Sequence, residues 1–166
     1  MLHALRSAIV LCVMLTACHA TRQATQRAPT DTQVYAVILD SLALEYEVDR
    51  ATVAVADSTI VPPFAKFTIY MALPAFNLEA YADEYDAYKL DYQPKPMVGS
   101  LRSAHRSSPE KLNLFLSNVF RTHDDRYAIV YVETRKDIAL FGSGRFLLLE
   151  KTDAWRIVWD FYTWKG

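Results

Sequence analysis

Tyr127-Ala128-Ile129-Val130-Tyr131-Val132-Glu133 and Arg145-Phe146-Leu147-Leu148-Leu149-Glu150 decide the fold of this chain. Both are short apolar runs bounded by turn formers, the first rich in β-branched and aromatic residues and the second in leucine, the pattern of strands. Working outward, Leu112-Asn113-Leu114-Phe115-Leu116-Ser117 alternates in the same way, and Trp155 to Tyr162 follows the second run. His123-Asp124-Asp125, Gly142-Ser143-Gly144 and Thr152-Asp153-Ala154 supply turn signals between them. Strands in sequence with short links predict an antiparallel meander of four.

Upstream the pattern changes. Val34, Ile38 and Leu42 recur on one helical face, with Tyr35, Leu39 and Tyr46 beside them and Asp31 or Thr32 as the cap. Thr52 to Ala56 reads as a short strand, and Pro62-Pro63 forces an extended passage. Phe76 to Leu90 places Leu78, Tyr81, Tyr85 and Tyr88 at helical spacing, with Asn77 as N-cap. That stripe reads as core, and Glu79, Asp83, Glu84 and Asp86 as a solvated face. Tyr92 to Pro96 reads as a loop. The expected fold class is α+β: N-terminal helices covering one face of a curved antiparallel sheet that ends in a four-stranded meander, a single domain over residues 32–166.

The N-terminus carries a different message. Arg6, helped weakly by His3, precedes the apolar run Ala8 to Leu15, which is far shorter than the about 20 residues of a spanning helix. It has the length of a signal-peptide core. Leu15-Thr16-Ala17-Cys18 closes it. Cleavage before Cys18 would remove residues 1–17, and cleavage after Ala20 is the rival. The only cysteines are Cys12 and Cys18. With Cys12 removed and Cys18 lipidated, no disulfide and no thiolate metal site is expected. Residues 18–31 hold no large apolar side chain and read as the lipidated cysteine and a flexible tether. Without Arg6 the 18 Lys and Arg fall to 17 against 19 Asp and Glu, a net charge of −2. No basic field for nucleic acid remains.

The tetrapeptide resembles the lipobox of bacterial lipoproteins. The resemblance implies a diacylglyceryl thioether on Cys18, an amide-linked acyl chain such as palmitate, and a membrane held through that anchor. At about 0.8 kcal/mol per buried methylene, two or three chains give lasting attachment. His19 stands where an Asp would signal retention at the inner membrane, which implies the outer membrane facing the periplasm if the source is Gram-negative. The stretch from Leu114 onward is similar to a set of uncharacterised bacterial envelope lipoproteins. It matches in Ser117, Phe120, Ala128 to Val132, Gly142-Ser143-Gly144, Leu148-Leu149-Glu150-Lys151, Trp155-Arg156-Ile157-Val158 and Trp164, and departs at Lys136-Asp137-Ile138. The resemblance implies no activity. More distantly, helices before a curved meander resemble nuclear-transport-factor-2-like and cystatin-like folds.

Few residues point to chemistry. Gly142-Ser143-Gly144 opens a strand rather than a helix, so a bulge or bend explains it better than a phosphate loop. His123 sits in a turn beside Asp124 and Asp125. His105 and Ser107-Ser108-Pro109-Glu110 lack a catalytic context, and no metal or cofactor is expected. On a regular strand Trp155, Ile157, Trp159 and Phe161 share the core face, and Arg156, Val158, Asp160 and Tyr162 the other. The functional alternative is an aromatic platform for a glycan or apolar ligand, with Trp159, Tyr131 and Arg156 binding. Asp160 is then the candidate acid, its pKa raised by desolvation between Trp159 and Phe161. Two function classes follow: a non-enzymatic lipid-anchored envelope protein with an envelope glycan or a protein as partner, or a small pocketed enzyme of nuclear-transport-factor-2-like type.

Overall fold

The structure is a computed structural model that describes residues 31–66, 76–97, 112–136 and 141–166. The signal segment, Cys18, His105 and Ser107 to Glu110 lie outside them. The chain divides into two units, Met1–Gln33 and Val34–Gly166, and the description below concerns the second.

Among the described residues, two α-helices and a six-stranded sheet make a mixed α+β fold in which the sheet dominates. Helix α1 spans 31–45 and α2 spans Ala82–Leu90. The strands are β1 Ala54–Val55, β2 Leu112–Leu116, β3 Phe120–Arg121, β4 Tyr127–Lys136, β5 Phe141–Lys151 and β6 Trp155–Lys165. Their order is β1-β2-β4-β5-β6, with β3 paired to one end of β4. β2, β4, β5 and β6 are antiparallel neighbours, whereas β1 runs parallel to β2 through Ala54↔Asn113 and Val55↔Leu114. The sheet is therefore mixed, not wholly antiparallel.

Cover by helices on one face only is also corrected. Val34, Tyr35, Ile38, Leu39 and Leu42 of α1 bury one face against Leu112, Leu114, Leu116, Val130, Val132, Leu147 and Leu149. Leu78, Tyr81 and Tyr85 bury the other against Tyr127, Ile129, Tyr131, Phe146 and Leu148. The residues of β4 from Tyr127 to Val132, and of β5 from Ser143 to Leu149, are accordingly buried without alternation. Each large aliphatic or Phe side chain among them contributes about 1.5–3 kcal/mol.

Asn77 does not cap a helix. It sits in the left-handed region at φ 52°, makes no side-chain cap bond, and leads into a 3-10 turn, Leu78–Tyr81, before α2 begins. Asn tolerates that conformation better than most residues. Gly142 to Gly144 is no turn either: all three pair within β5. A Cβ on Gly144 would stand 2.2 Å from both Tyr131 Oη and Trp164 Nε1, and one on Gly142 2.4 Å from Thr134 O and 3.0 Å from the Trp164 ring. The glycines are the seat of Trp164.

Strand β6 departs from strict alternation at two bulges. Ile157 pairs with Leu149 and Trp159 with Leu148, leaving Val158 extra; Tyr162 pairs with Arg145 and Trp164 with Gly144, leaving Thr163 extra. Each extra residue reverses which face the next one meets. Trp155 and Ile157 thus pack in the α1 core, while Trp159 and Phe161 pack in the aromatic core opposite.

Candidate functional site

The C-terminal end of α1 positions the polar cluster of the α1 face. The helix closes in a Schellman motif: Val48 N–H donates to Ala43 O at 3.0 Å and Glu47 N–H to Leu44 O at 3.2 Å. Glu47 takes the left-handed conformation there, at φ 53°. The motif leaves Glu45 and Tyr46 aimed at β5. Tyr46 Oη meets Thr134 Oγ1 at 2.9 Å, and Thr134 meets Ser143 Oγ at 2.9 Å. Glu45 ion-pairs with Arg145.

Arg145 is the centre. Its side chain is only 7% exposed, whereas those of Glu45 and Asp160 are 41% and 42% exposed. Its Nη1 donates to Asp160 Oδ2 at 3.1 Å and to Tyr162 Oη at 2.6 Å, and its Nη2 to Glu45 Oε2. Burial works against the guanidinium charge, but the bonds to Glu45 and Asp160 outweigh it and hold its pKa above the usual arginine value. Nε has no hydrogen-bond partner among the described residues. Two open hollows flank the cluster. One, of about 260 Å³, is bordered by Ser41 and Glu45 of α1, Arg145 and Leu147 of β5, and the run Ile157 to Asp160 of β6. The other, of about 220 Å³, lies on the far side of Glu45, by Tyr46, Ser143, Tyr162 and Lys165. They exist because the α1 layer reaches β6 only at Trp155 and Ile157 and leaves the rest of that strand uncovered: Asp160 and Tyr162 are exposed.

Of the sequence-predicted site residues, Trp159 and Asp160 both border the larger hollow, while Tyr131 and Arg156 lie elsewhere. Trp159 stacks on Phe161 at 6.0 Å with rings 12° apart, and both pack in the aromatic core rather than beside Asp160. Tyr131 is buried in that core against Phe146, its Oη accepting from Trp164 Nε1 at 3.3 Å. Arg156 is exposed and ion-paired at 2.9 Å with Glu150, its cross-strand partner. The sheet separates the Asp160 carboxylate from the rings of Trp159 and Tyr131, and Asp160 answers to Arg145 instead of an apolar clamp. Arg145, Glu45 and Tyr162 escaped the sequence reading. The available signal was a lone charge, Arg145, opening an unbroken apolar strand.

His123 bonds through Nδ1 to Glu84 Oε1 at 2.5 Å, and Tyr81 Oη donates to Asp124 Oδ2 at 2.8 Å. Both bonds tie the 3-10 turn and α2 to the β3–β4 turn. No group of three His, Cys, Asp or Glu side chains able to hold a metal occurs among the described residues. No helix among them is long and apolar enough to cross a membrane. The chain matches no protein-family model, no curated protein and no solved structure.

Proposed function

We propose that this chain is a lipid-anchored protein of the bacterial envelope whose domain works by binding rather than by catalysis. The anchor rests on Leu15-Thr16-Ala17-Cys18 and the apolar run before it. The observation that carries the binding reading is the filling of the sheet. Side chains occupy both faces, and the polar cluster faces open hollows in which each acid is engaged by Arg145. The alternative, a pocketed enzyme of nuclear-transport-factor-2-like type with a curved meander around its site, needs Asp160 desolvated in a deep cavity. Its 42% exposed side chain does not meet that need.

Intact-mass analysis of the protein extracted from the producing cell tests the anchor. The expected species begins at Cys18 and carries a diacylglyceryl group and an acyl chain. An unmodified chain beginning at Thr21 overturns it.

A further inference from the structure

Strand β6 ends the sheet. Among the described residues only β5 pairs with it, so the other edge of an 11-residue strand lies open. An open edge of that length is a template for another strand, which proteins deter with proline, charge or bulges. β6 has no proline. Its open groups can be counted from β5. Gly166 N–H donates to Gly142 O at 3.0 Å, and Lys151 N–H donates to Arg126 O at 2.8 Å. Even-numbered residues of β5 therefore bond toward β6 and odd-numbered ones toward β4, since bonded and non-bonded pairs alternate in an antiparallel ladder. The β6 partners of Ser143, Arg145, Leu147, Leu149 and Lys151 are Lys165, Tyr162, Asp160, Ile157 and Trp155. These β6 residues turn their N–H and C=O outward.

Bulges usually spoil an edge by breaking its two-residue rhythm. The bulges at Val158 and Thr163 break it evenly. Ile157, Asp160, Tyr162 and Lys165 fall symmetrically about Phe161. An antiparallel second copy with a twofold axis at Phe161 thus sets Asp160 against Tyr162 and Ile157 against Lys165, with backbone groups facing in every pair. An axis between Val158 and Trp159 also fits, with Asp160 against Ile157 and Tyr162 against Trp155. Side chains choose between the two, because opposed residues share a face and stand about 4.5–5.5 Å apart at Cβ. In the first register the Tyr162 hydroxyl, which accepts from Arg145 at 2.6 Å, donates its own proton to Asp160 Oδ1 of the second copy. That oxygen is open because Arg145 takes Oδ2. Lys165 lies over the Tyr162 ring at 5.3 Å and has no ion pair among the described residues. It arrives beside the second copy's larger hollow, bordered by Ile157, Asp160 and Glu45. Exposed Trp164 comes opposite half-buried Val158. The other register sets Asp160 and Tyr162 against apolar side chains and leaves Lys165 outside the ladder.

We propose that two copies of this chain join along β6, antiparallel about a twofold axis at Phe161, so that one sheet runs through both. The proposal goes beyond the anchor and the binding reading and depends on neither.

The test uses the full protein in a density-matched non-ionic detergent. A strand-edge contact buries little area, so the mass from sedimentation equilibrium is expected to double between about 1 µM and about 1 mM. Amide exchange, read residue by residue by NMR, reports the register. Protection at Ile157, Asp160, Tyr162 and Lys165 should rise with concentration, while that at Arg156, Trp159, Phe161 and Trp164, which bond to β5, stays constant. Lys165→Pro removes one outward N–H and no bond to β5. Lys165→Glu sets an acid against Glu45 and Asp160. Each should weaken the dimer about tenfold or more, with the unfolding midpoint of the dilute monomer unchanged. If neither variant folds, the exchange pattern of the unaltered chain decides alone. A chain that stays monomeric up to about 1 mM overturns the proposal. So does concentration-dependent protection at Trp155 in place of Lys165, or a dimer that Lys165→Glu leaves intact. The mass of the chain decides the anchor separately, and an unlipidated chain that dimerises in this register leaves the proposal standing.

Discussion

On the α1 face of the sheet the core is aliphatic, Val34, Ile38 and Leu42 against Leu114, Val130 and Leu147; on the α2 face it is aromatic, Tyr81 and Tyr85 against Tyr127, Tyr131 and Phe146. The aliphatic face has few ring hydroxyls, those of Tyr35 and Tyr46, and its charged groups gather where α1 ends, around Arg145 at an open rim. The aromatic face carries its polar atoms on ring tips. Tyr88 Oη donates to Asn118 O at 2.8 Å, and Tyr92 Oη donates to Ile60 O and accepts from Asn118 N–H. From the opposite face Tyr35 Oη donates to Ser117 O at 2.9 Å. Rings of both layers thus satisfy the backbone where it leaves β2. An aromatic layer can close its own edge in this way, because one side chain is apolar along its length and polar at its tip. The aliphatic layer leaves the edge beyond α1 to ions.

Adjacent residues of β5 probe the two layers most strongly. Phe146 and Leu147 are each 1% exposed and belong to opposite cores. Phe146→Ala is expected to cost about 3–5 kcal/mol and Leu147→Ala about 2–5, read by urea unfolding. With the sheet between the two cavities the double variant should show the sum to within about 0.5 kcal/mol. Strong non-additivity would mean that the layers are one core, which breaks the comparison.

Next in size is Gly144→Ala. The new methyl meets Tyr131 and Trp164, so overpacking should cost about 1–3 kcal/mol and shift Trp164 emission toward that of exposed indole. Tyr131→Phe in the same chain removes one of the two clashing atoms and should restore part of the loss. If Gly144→Ala is neutral, Trp164 is not seated on the glycines. Smaller still are Tyr88→Phe and Tyr35→Phe, each leaving a carbonyl without its phenol, at about 1 kcal/mol apiece by thermal unfolding. Tyr35 is buried and Tyr88 half-buried, so Tyr35→Phe should be the costlier.

Much of the architecture was legible. β2, β4 and the first half of β6 lie where the alternating runs predict, and Tyr81 and Tyr85 form the core stripe that their spacing implies. Period-2 patterning reports burial on one face, so it could not announce a second layer over the sheet; the near-continuous apolar run Phe146 to Leu149 was the only hint. The candidate site was less legible, for a definite reason. Assigning Asp160 to the α1 face of the sheet or to the aromatic face depends on counting every residue of β6, and the bulge at Val158 shifts the count by one. Bulges leave little trace in sequence. Likewise the paired glycines of β5 look like a turn until Trp164, some twenty residues on, supplies the reason for them.

The smallest effect separates the layers by pH. At the β3–β4 turn, burial raises the Asp125 pKa, but hydrogen bonds from Lys151 at 2.6 Å and Arg121 at 2.8 Å outweigh it and leave it below the ordinary aspartate value. Asp124 is lowered in the same way, with burial opposed by bonds from Thr122 and Tyr81. A carboxyl whose pKa is lower folded than unfolded adds stability that is complete above the unfolded value, about 3.9, and is lost as pH falls through the folded one. Both groups are largely solvated, so the sum should stay under about 1 kcal/mol. Its place matters more than its size. Asp124 holds Tyr81 of the aromatic layer, so acid below about pH 4 should speed amide exchange at 121–127 and in the Leu78–Tyr81 turn before it does so in α1. Asp124→Asn should remove the pH dependence at Tyr81 while leaving α1 unchanged. Exchange that rises equally in α1 and the turn would show that the two layers loosen together, and the distinction between them would then be one of composition alone.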